Sequence, residues 1–423
     1  MQYVIIGNST AAVGGIEGIR QVDRVNPITV ISEEPFHTYS RPLISYFLAG
    51  KVHEQQMLYR KHDFYENNGV NLMRGIKAER IDPLNKRIVL NNGAQISYDK
   101  VLLATGGKPY LPKPEWMRKP GVFTFTKLED AKKIRESIAT GDQAVVVGAG
   151  LIGLKAAEAL NLLGMQVTVI DLAERVLSSI LDSTAAGIVQ GYLEAKGISF
   201  ELTTTVEQVF GENRVEGIRL SGGKEIACKH LVVAIGVVPN TELVLNTPIK
   251  VNRGILVNSQ MQTNVSDVYA AGDVAESYDL LYRAHRVTPI LPLAYTQGEI
   301  AGKSMGGGET SFNGGFAMNS IGFFNLPIIT AGIILPPSSG YKELVNYLPG
   351  QQSYKKLVVH EDKIVGFILI NEVDRAGIIT GLIREEKPVG DILAEQLLQD
   401  NVRLSCLPAA WFSKGLFWGG KAS

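Results

Sequence analysis

Cysteine is the scarcest chemical resource in this sequence. The 423-residue chain has two, Cys228 and Cys406, and they form no CxxC or CxxxxC pair. That excludes a disulfide-stapled fold and an iron–sulfur centre of the chain's own. Two isolated thiols fit a reducing compartment, and their plainest reading is as inert, semi-buried side chains. Charge of one sign is not in excess either, since 42 Lys and Arg balance 42 Asp and Glu. Nothing in that balance points to nucleic acid or to an acidic membrane surface. Long apolar runs are also missing. The most membrane-like stretch, IGFFNLPIITAGIILPP, is interrupted by Asn325, Pro327 and Gly332. Its spacing predicts two short buried strands around a turn, not a spanning helix. The chain opens MQYVIIG, straight into a strand with no basic or apolar leader. These absences predict a soluble, cytoplasmic protein that binds neither nucleic acid nor membrane.

Glycine, by contrast, is plentiful. There are 44, well above ordinary usage, and several fall at strand-to-helix turns. The length calls for two or three domains, not one core. The first glycine turn lies in YVIIGNSTAAVGGIEGIRQV, followed by PITVISEE. Tyr3 to Ile6 has the pattern of a buried parallel strand, Thr10 to Gln21 that of a helix, and Thr29 to Ile31 that of the next strand, ending at Glu33. In such a unit a diphosphate sits on the helix N-terminus, and a carboxylate at the end of the second strand accepts a ribose hydroxyl. Gly7 is in place, but Ser9 and Val13 replace the second and third glycines. Alone, this turn competes with a buried βαβ turn that holds no ligand.

The second turn is more specific. AVVVGAGLIGLKAAEALNLLGMQVTVID carries a full GxGxxG at Gly148, Gly150 and Gly153, after the strand Ala144 to Val147. Leu151 and Ile152 open the helix that follows. Asp171 lies 171 − 148 = 23 residues past the first glycine, near the roughly 20 expected of a ribose-binding acid. A carboxylate there repels a 2′-phosphate and bonds a bare 2′-hydroxyl, which favours NADH over NADPH. Arg175 is a nearby cation that softens this preference.

Three further motifs complete the pattern. KVLLATGGKPYLP is a strand running into Ala104, Thr105 and Gly106; VVAIGVVPNTEL carries Gly236; DVYAAGDVAES runs into Gly272 and Asp273. In this order, over nearly the whole chain, the motifs resemble those of the pyridine nucleotide–disulfide oxidoreductase superfamily. The resemblance implies an α/β fold of two Rossmann-like dinucleotide-binding domains (FAD and NAD) plus a C-terminal α+β domain. It places an FAD-binding domain at 1–112 and 246–309, an NAD-binding domain at 113–245 and an interface domain at 310–423. It further implies Gly7 and Ser9 at the FAD diphosphate and Glu33 on the adenosine ribose, with Thr105 and Gly106 closing the flavin domain. Gly272 would offer a backbone donor, and Asp273 would hold the ribityl chain or diphosphate. In PLAYTQGEIAGKSMGG, Ala294, Tyr295 and Thr296 would lie near the pyrimidine edge of the flavin. NAD would use Gly148, Gly150, Leu151, Ile152, Gly153, Asp171 and Gly236.

Branches of this superfamily that carry electrons through cysteine place it after the first turn or shortly after the second strand. Here those stretches read STAAVGGIEGIR and FHTYSRPLISYFLAGK, without a thiol. Thiolate-dependent disulfide, thiol-adduct and sulfenic chemistry are thereby disfavoured. YSRPLISYF instead resembles the segment of NADH:rubredoxin reductases, ferredoxin-reductase flavoproteins and the flavoprotein part of NADH-dependent nitrite reductases. FAD–NAD oxidoreductases associated with carbon monoxide dehydrogenase belong with the same branch. By that resemblance Arg41 presents a guanidinium fork to phosphate and Pro42 a rigid edge along the flavin, with Ser40 and Tyr46 as further candidates. Two departures stand out. Ferredoxin-reductase relatives often carry Lys where Tyr46 stands, and the family usually carries Glu where this chain has Lys155; that Glu helps organise the site as nicotinamide arrives. The segment YKKLVVHEDKIVGFILINEVDRAGIITGLIREEKPV, with paired strands, a turn and a helix, fits the same branch. The tail aromatics Trp411, Phe412, Phe417 and Trp418 suit an apolar tail packed on its own domain, with partner docking as the second reading. The implied function is an FAD-dependent NAD(P)H oxidoreductase. Its electrons would be exchanged with a small redox protein, a rubredoxin, ferredoxin or iron–sulfur subunit, and a homodimer is compatible. Two alternatives stay open: an NADH oxidase using dioxygen, and a non-catalytic flavoprotein subunit or NADH sensor.

Overall fold

The computed structural model describes residues 1–399, so Cys406 and the aromatic tail lie outside the described residues. The chain divides into two compact units, residues 1–172 with 198–316, and residues 173–197 with the segment from 317 onward.

The first unit is built on two five-stranded parallel sheets of like plan. In the first, strand order is Val268–Ala270, Lys100–Leu103, Tyr3–Ile6, Ile28–Ser32, Val70–Arg74. Tyr3 aligns with Ile28 on one side and Lys100 on the other. The central strand is buried at all four positions, which is why YVII is an unbroken apolar run: a parallel sheet is covered on both faces. Helix α1 (Thr10–Val22) follows the first turn, and a short helix α2 (Ile44–Leu48) follows the Arg41–Leu43 turn. The second sheet runs Ile198–Glu201, Gln166–Ile170, Gln143–Val147, His230–Val233, Val122–Thr124, with helices α3 (Leu128–Ser137) and α4 (Leu151–Leu162). Each sheet carries a small three-stranded antiparallel sheet in the same place in its chain order, starting at Ala78–Asp82 and at Val206–Phe210. The chain passes between the two halves along strands that pair with each other, Gly107–Pro109 against Val237–Pro239. It then returns to give the first sheet its edge strand, Val268–Ala270, and helix α5 (Leu291–Met305).

Helices α1 and α5 pack backbone against backbone. A Cβ on Gly14 would lie 2.3 Å from the Tyr295 carbonyl oxygen, and one on Gly298 would lie 2.0 Å from that of Ala11. The same holds one turn further along, at Gly18 against Glu299 and Gly302 against Gly15. Side chains add to the seam: Tyr295 donates its hydroxyl to Glu17 at 2.6 Å, and Arg60 grips the same carboxylate at 2.7 Å.

The second unit holds a five-stranded antiparallel sheet, in order Met318–Phe323, Leu326–Gly332, Lys363–Ile370, Ser353–His360, Lys342–Leu348. Its first hairpin is the pair of strands expected in the interrupted apolar run, with Phe323 opposite Leu326 across the turn. Two lysines in the strand Ser353–His360 are buried. Lys356, 2% exposed, meets Asp182 at 3.1 Å and Glu343 at 2.5 Å. A buried ammonium is tolerated when paired in this way. Asp182 also caps the helix Ser183–Glu194 at Ala185 N–H and accepts the Tyr354 hydroxyl at 2.7 Å. One carboxylate thus fixes that helix to the sheet. Among the described residues no helix is long and apolar enough to cross a membrane.

Candidate nucleotide-binding sites

Both predicted turns have the same backbone. Gly7 sits at φ 117° and Gly148 at φ 114°, a region that favours glycine. At each, a side chain would strike an alanine carbonyl of the neighbouring strand, Ala104 at 2.0 Å and Ala234 at 2.3 Å. Both helices start from an extended residue, Ser9 or Gly150, and neither has a side-chain cap. Ser9 and Gly150 therefore do not compete with an anion for the first N–H groups of α1 and α4. At the spacing that gives Gly153 in the second turn, the first turn has Ala12, fully buried, and not the expected Val13.

Around the first turn the side chains are heavily cross-linked. Asn8 accepts a hydrogen bond from the Tyr65 hydroxyl and donates to the Phe36 carbonyl at 3.3 Å. Burial pushes the Tyr65 hydroxyl up to about 12. The His37 ring meets Tyr65 at 4.9 Å between centroids. Among the described residues, His37 Nε2 and Thr38 Oγ1 are buried with no hydrogen-bond partner. Such orphaned polar atoms are rare unless something completes them. Glu33 is exposed and pairs with Lys127 at 3.1 Å. Arg41 spends one arm of its fork on Glu34 at 2.5 Å and donates to the Thr126 carbonyl at 2.9 Å. Pro42, beside it, is exposed, and Ser40 donates its N–H to Met57.

Asp273 is largely enclosed, and its carboxyl accepts no hydrogen bond among the described residues. Burial pushes its pKa up, with Arg41 pulling in the opposite direction. An ionised carboxyl left in this state is costly unless a donor meets it. Gly272 donates its N–H to the Gln297 side chain at 2.8 Å. Ala294 is buried in α5, and the Thr296 hydroxyl bonds back to Pro292 at 3.1 Å. The Tyr295 hydroxyl is turned to Glu17. Thr105 donates to the Asn240 carbonyl at 2.8 Å, and Gly106 borders open space.

The second turn is more open. Among the described residues nothing lies within 4 Å of where a Cβ on Gly150 or Gly236 would stand, while Gly153 is needed for close packing, 1.9 Å from the Gly148 carbonyl. Leu151 and Ile152 are half-buried at the start of α4. Asp171 reaches the turn itself, its carboxylate accepting the Ala149 N–H at 2.6 Å. Arg175 pairs with Glu174 at 2.7 Å. Cys228 is 2% exposed, packed with Val215, Ile218 and Leu231, and burial pushes its thiol up to about 12.

Several contributors escaped the sequence reading. The seam between α1 and α5 left a signal, the GxxxG spacings Gly14–Gly18 and Gly298–Gly302. His37, Thr38 and Gln297 left none, because their significance comes from what folds over them.

Residues 1–288 match the family model described as pyridine nucleotide-disulphide oxidoreductase, and residues 318–387 match the rubredoxin NAD+ reductase C-terminal domain. The chain belongs to the pyridine nucleotide-disulphide oxidoreductase family, whose members use FAD and a nicotinamide nucleotide. It is 32% identical over 401 residues to the nitrite reductase [NAD(P)H] of Bacillus subtilis, covering 94% of this chain and 49% of that protein. It is 31% identical over 389 residues to the NADH-dependent phenylglyoxylate dehydrogenase subunit epsilon of Aromatoleum evansii, covering 90% and 91%. The chain spans about half the length of the Bacillus subtilis proteins it matches. The reductase in a covalent putidaredoxin reductase–putidaredoxin complex has the same fold, with a TM-score of 0.86 at 23% identity over 94% of this chain and 98% of that one.

Proposed function

We propose that the chain is a cytoplasmic, FAD-dependent NADH oxidoreductase that exchanges electrons with a separate small redox protein, a rubredoxin, a ferredoxin or an iron–sulfur subunit. The observation that carries this reading is the matched pair of turns at Gly7 and Gly148, one cross-linked and one open, in a chain whose described thiol is buried away from both. The residues present fit the two groups. Gly7, Ser9 and the first N–H groups of α1 suit the FAD diphosphate, and Glu33 the adenosine ribose. Asp273, enclosed and without a donor among the described residues, suits the ribityl hydroxyls or diphosphate. Arg41, Pro42, Thr105, Gly106, Gly272 and residues 294–296 border the flavin. Gly148, Gly150, Leu151, Ile152, Gly153 and Gly236 take the nicotinamide nucleotide, and Asp171 its ribose. An FAD domain of 1–112 and 246–309, an NAD domain of 113–245 and a C-terminal domain from 310 follow from that division.

A flavin held there would supply hydride acceptance from the nicotinamide and one-electron release, so the protein's own work is orientation and exclusion of water. Asp171 selects against a 2′-phosphate by charge. With Cys228 buried and barely ionised, no thiol among the described residues would relay electrons, and an outside carrier would take them from the flavin.

Anaerobic stopped-flow reduction by NADH, then mixing with air-saturated buffer or with a rubredoxin or ferredoxin, tests this. The expected result is bleaching within seconds, slow reoxidation by air and fast reoxidation by the carrier. Reoxidation by air as fast as reduction would make the protein an oxidase. Bleaching that takes hours would make it a sensor or scaffold.

A further inference from the structure

Four cations from the second nucleotide fold close on residues 33–54 of the first. Lys127 meets Glu33 at 3.1 Å; Lys132 meets Glu54 at 2.8 Å and lies 4.5 Å from the Phe36 ring. Arg135 donates to the Phe47 carbonyl at 3.4 Å and lies over its ring at 5.3 Å. These three belong to α3 or its cap. The fourth, Lys155, belongs to α4, the helix that leaves the Gly148 turn, and its ammonium lies 4.8 Å from the centroid of the Tyr46 ring on α2.

Lys155 is also ion-paired with Glu158, one turn on. The Glu158 side chain is only 5% exposed, and a carboxylate so enclosed requires a cation. The pair fixes the ammonium to the helix, so Lys155 moves with α4 as a body. Tyr46 lies on α2, directly after the Arg41–Leu43 turn, where Arg41 spans Glu34, the Thr126 carbonyl and the field of Asp273.

We infer that Lys155, through its contact with Tyr46, is the positioning residue that couples nucleotide binding on α4 to the flavin-side segment. The inference rests on the two-nucleotide reading above. A nucleotide seated on the N-terminus of α4 fixes that helix; Lys155 passes the position to Tyr46, and α2 passes it to Arg41. The cation sits on the nucleotide helix and the aromatic face on the flavin side, with Glu158 as counterion, and the attraction between them is a cation–π contact.

The test is the affinity of the FAD-loaded protein for NAD+, by calorimetry, in Tyr46→Leu, Lys155→Met, the double variant and Lys155→Arg, with KM and kcat for NADH beside it. Tyr46→Leu and Lys155→Met should each weaken NAD+ binding by roughly three- to tenfold. They should raise KM more than they lower kcat and leave the flavin absorbance spectrum unchanged. The double variant should be no weaker than the weaker single, because both remove one contact. Lys155→Arg should keep affinity within about twofold. Effects that multiply in the double variant would overturn the inference, and so would wild-type affinity in Tyr46→Leu, which stands even if Lys155→Met misfolds around the buried Glu158. A wild-type protein that holds FAD yet binds no NAD+ would overturn the two-nucleotide reading itself.

Discussion

Helix α1 is locked to α5 through carbonyl contacts that leave no room for a methyl group. Helix α4 leaves an equivalent turn, yet meets α2 through a lysine and a tyrosine ring. The turns differ in the same direction. The first is wired by Asn8 to Tyr65 and Phe36, while the second opens onto empty space at Gly150. Backbone packing cannot shift without breaking, whereas a flexible side-chain contact can yield by tenths of an ångström. The contrast suits a group that stays, held by the first turn, and one that comes and goes on the second.

The largest effect should come from breaking the locked side. Gly298→Ala puts a methyl 2.0 Å from the Ala11 carbonyl oxygen, where neither helix backbone can yield. We expect a loss of about 3 kcal/mol or more of stability by chemical denaturation, with loss of bound flavin. A protein that keeps its denaturation midpoint would show that the seam is softer than its distances.

Next comes Asp273, where binding and stability should move apart. Burial raises its folded pKa, so without flavin its contribution to stability is present below the ordinary carboxylate range. It is lost as pH rises through the raised value. Asp273→Asn removes that loss. The flavin-free variant should be more stable than wild type at neutral pH by about 1 kcal/mol, with the gain shrinking as pH falls. Flavin should be held roughly tenfold more weakly or worse. Flavin release on dilution, followed by fluorescence, checks the second half. A variant no more stable than wild type would show that Asp273 already has a donor in solution.

The contrast between the two turns was only partly legible in the sequence. Tyr3–Ile6 and Ala144–Val147 could be read because covered parallel strands are continuous apolar runs that end at a glycine. The second turn was legible as a site because three glycines and Asp171 keep a fixed spacing. The α1–α5 seam was not read, although Gly14, Gly18, Gly298 and Gly302 are plain to see. Glu17 and Tyr295 are 278 positions apart, and helical spacing does not say which partner a small face will meet. Tyr295 shows the limit of a motif: its position fell in the expected helix, but its hydroxyl goes to Glu17. Asp273 was found by its motif, while its lack of a partner is a property of the fold alone.

The open side should respond quite differently to the same kind of substitution. Gly150 has φ −81°, and nothing lies within 4 Å of an added Cβ. Gly150→Ala should therefore leave stability within about 0.5 kcal/mol of wild type. It should weaken NAD+ binding by about tenfold, because the methyl occupies the space where the diphosphate approaches. Calorimetry at matched flavin content reads this directly. Unchanged affinity would mean that the nucleotide does not lie against this turn.

The smallest effect belongs to Cys228, which serves neither turn. With its thiol pushed up to about 12, about one molecule in 10⁴ carries the thiolate at pH 8. Iodoacetamide should leave the Cys228 peptide unmodified in the native protein and alkylate it after denaturation, as read by mass spectrometry. Cys228→Ala should keep NADH-driven flavin reduction within about twofold of wild type, at a cost of about 1 kcal/mol for the lost packing with Ile218 and Leu231. Native labelling together with a block in reoxidation of the variant would restore a thiol to the electron path. A silent Cys228 would leave no thiol among the described residues in the electron path.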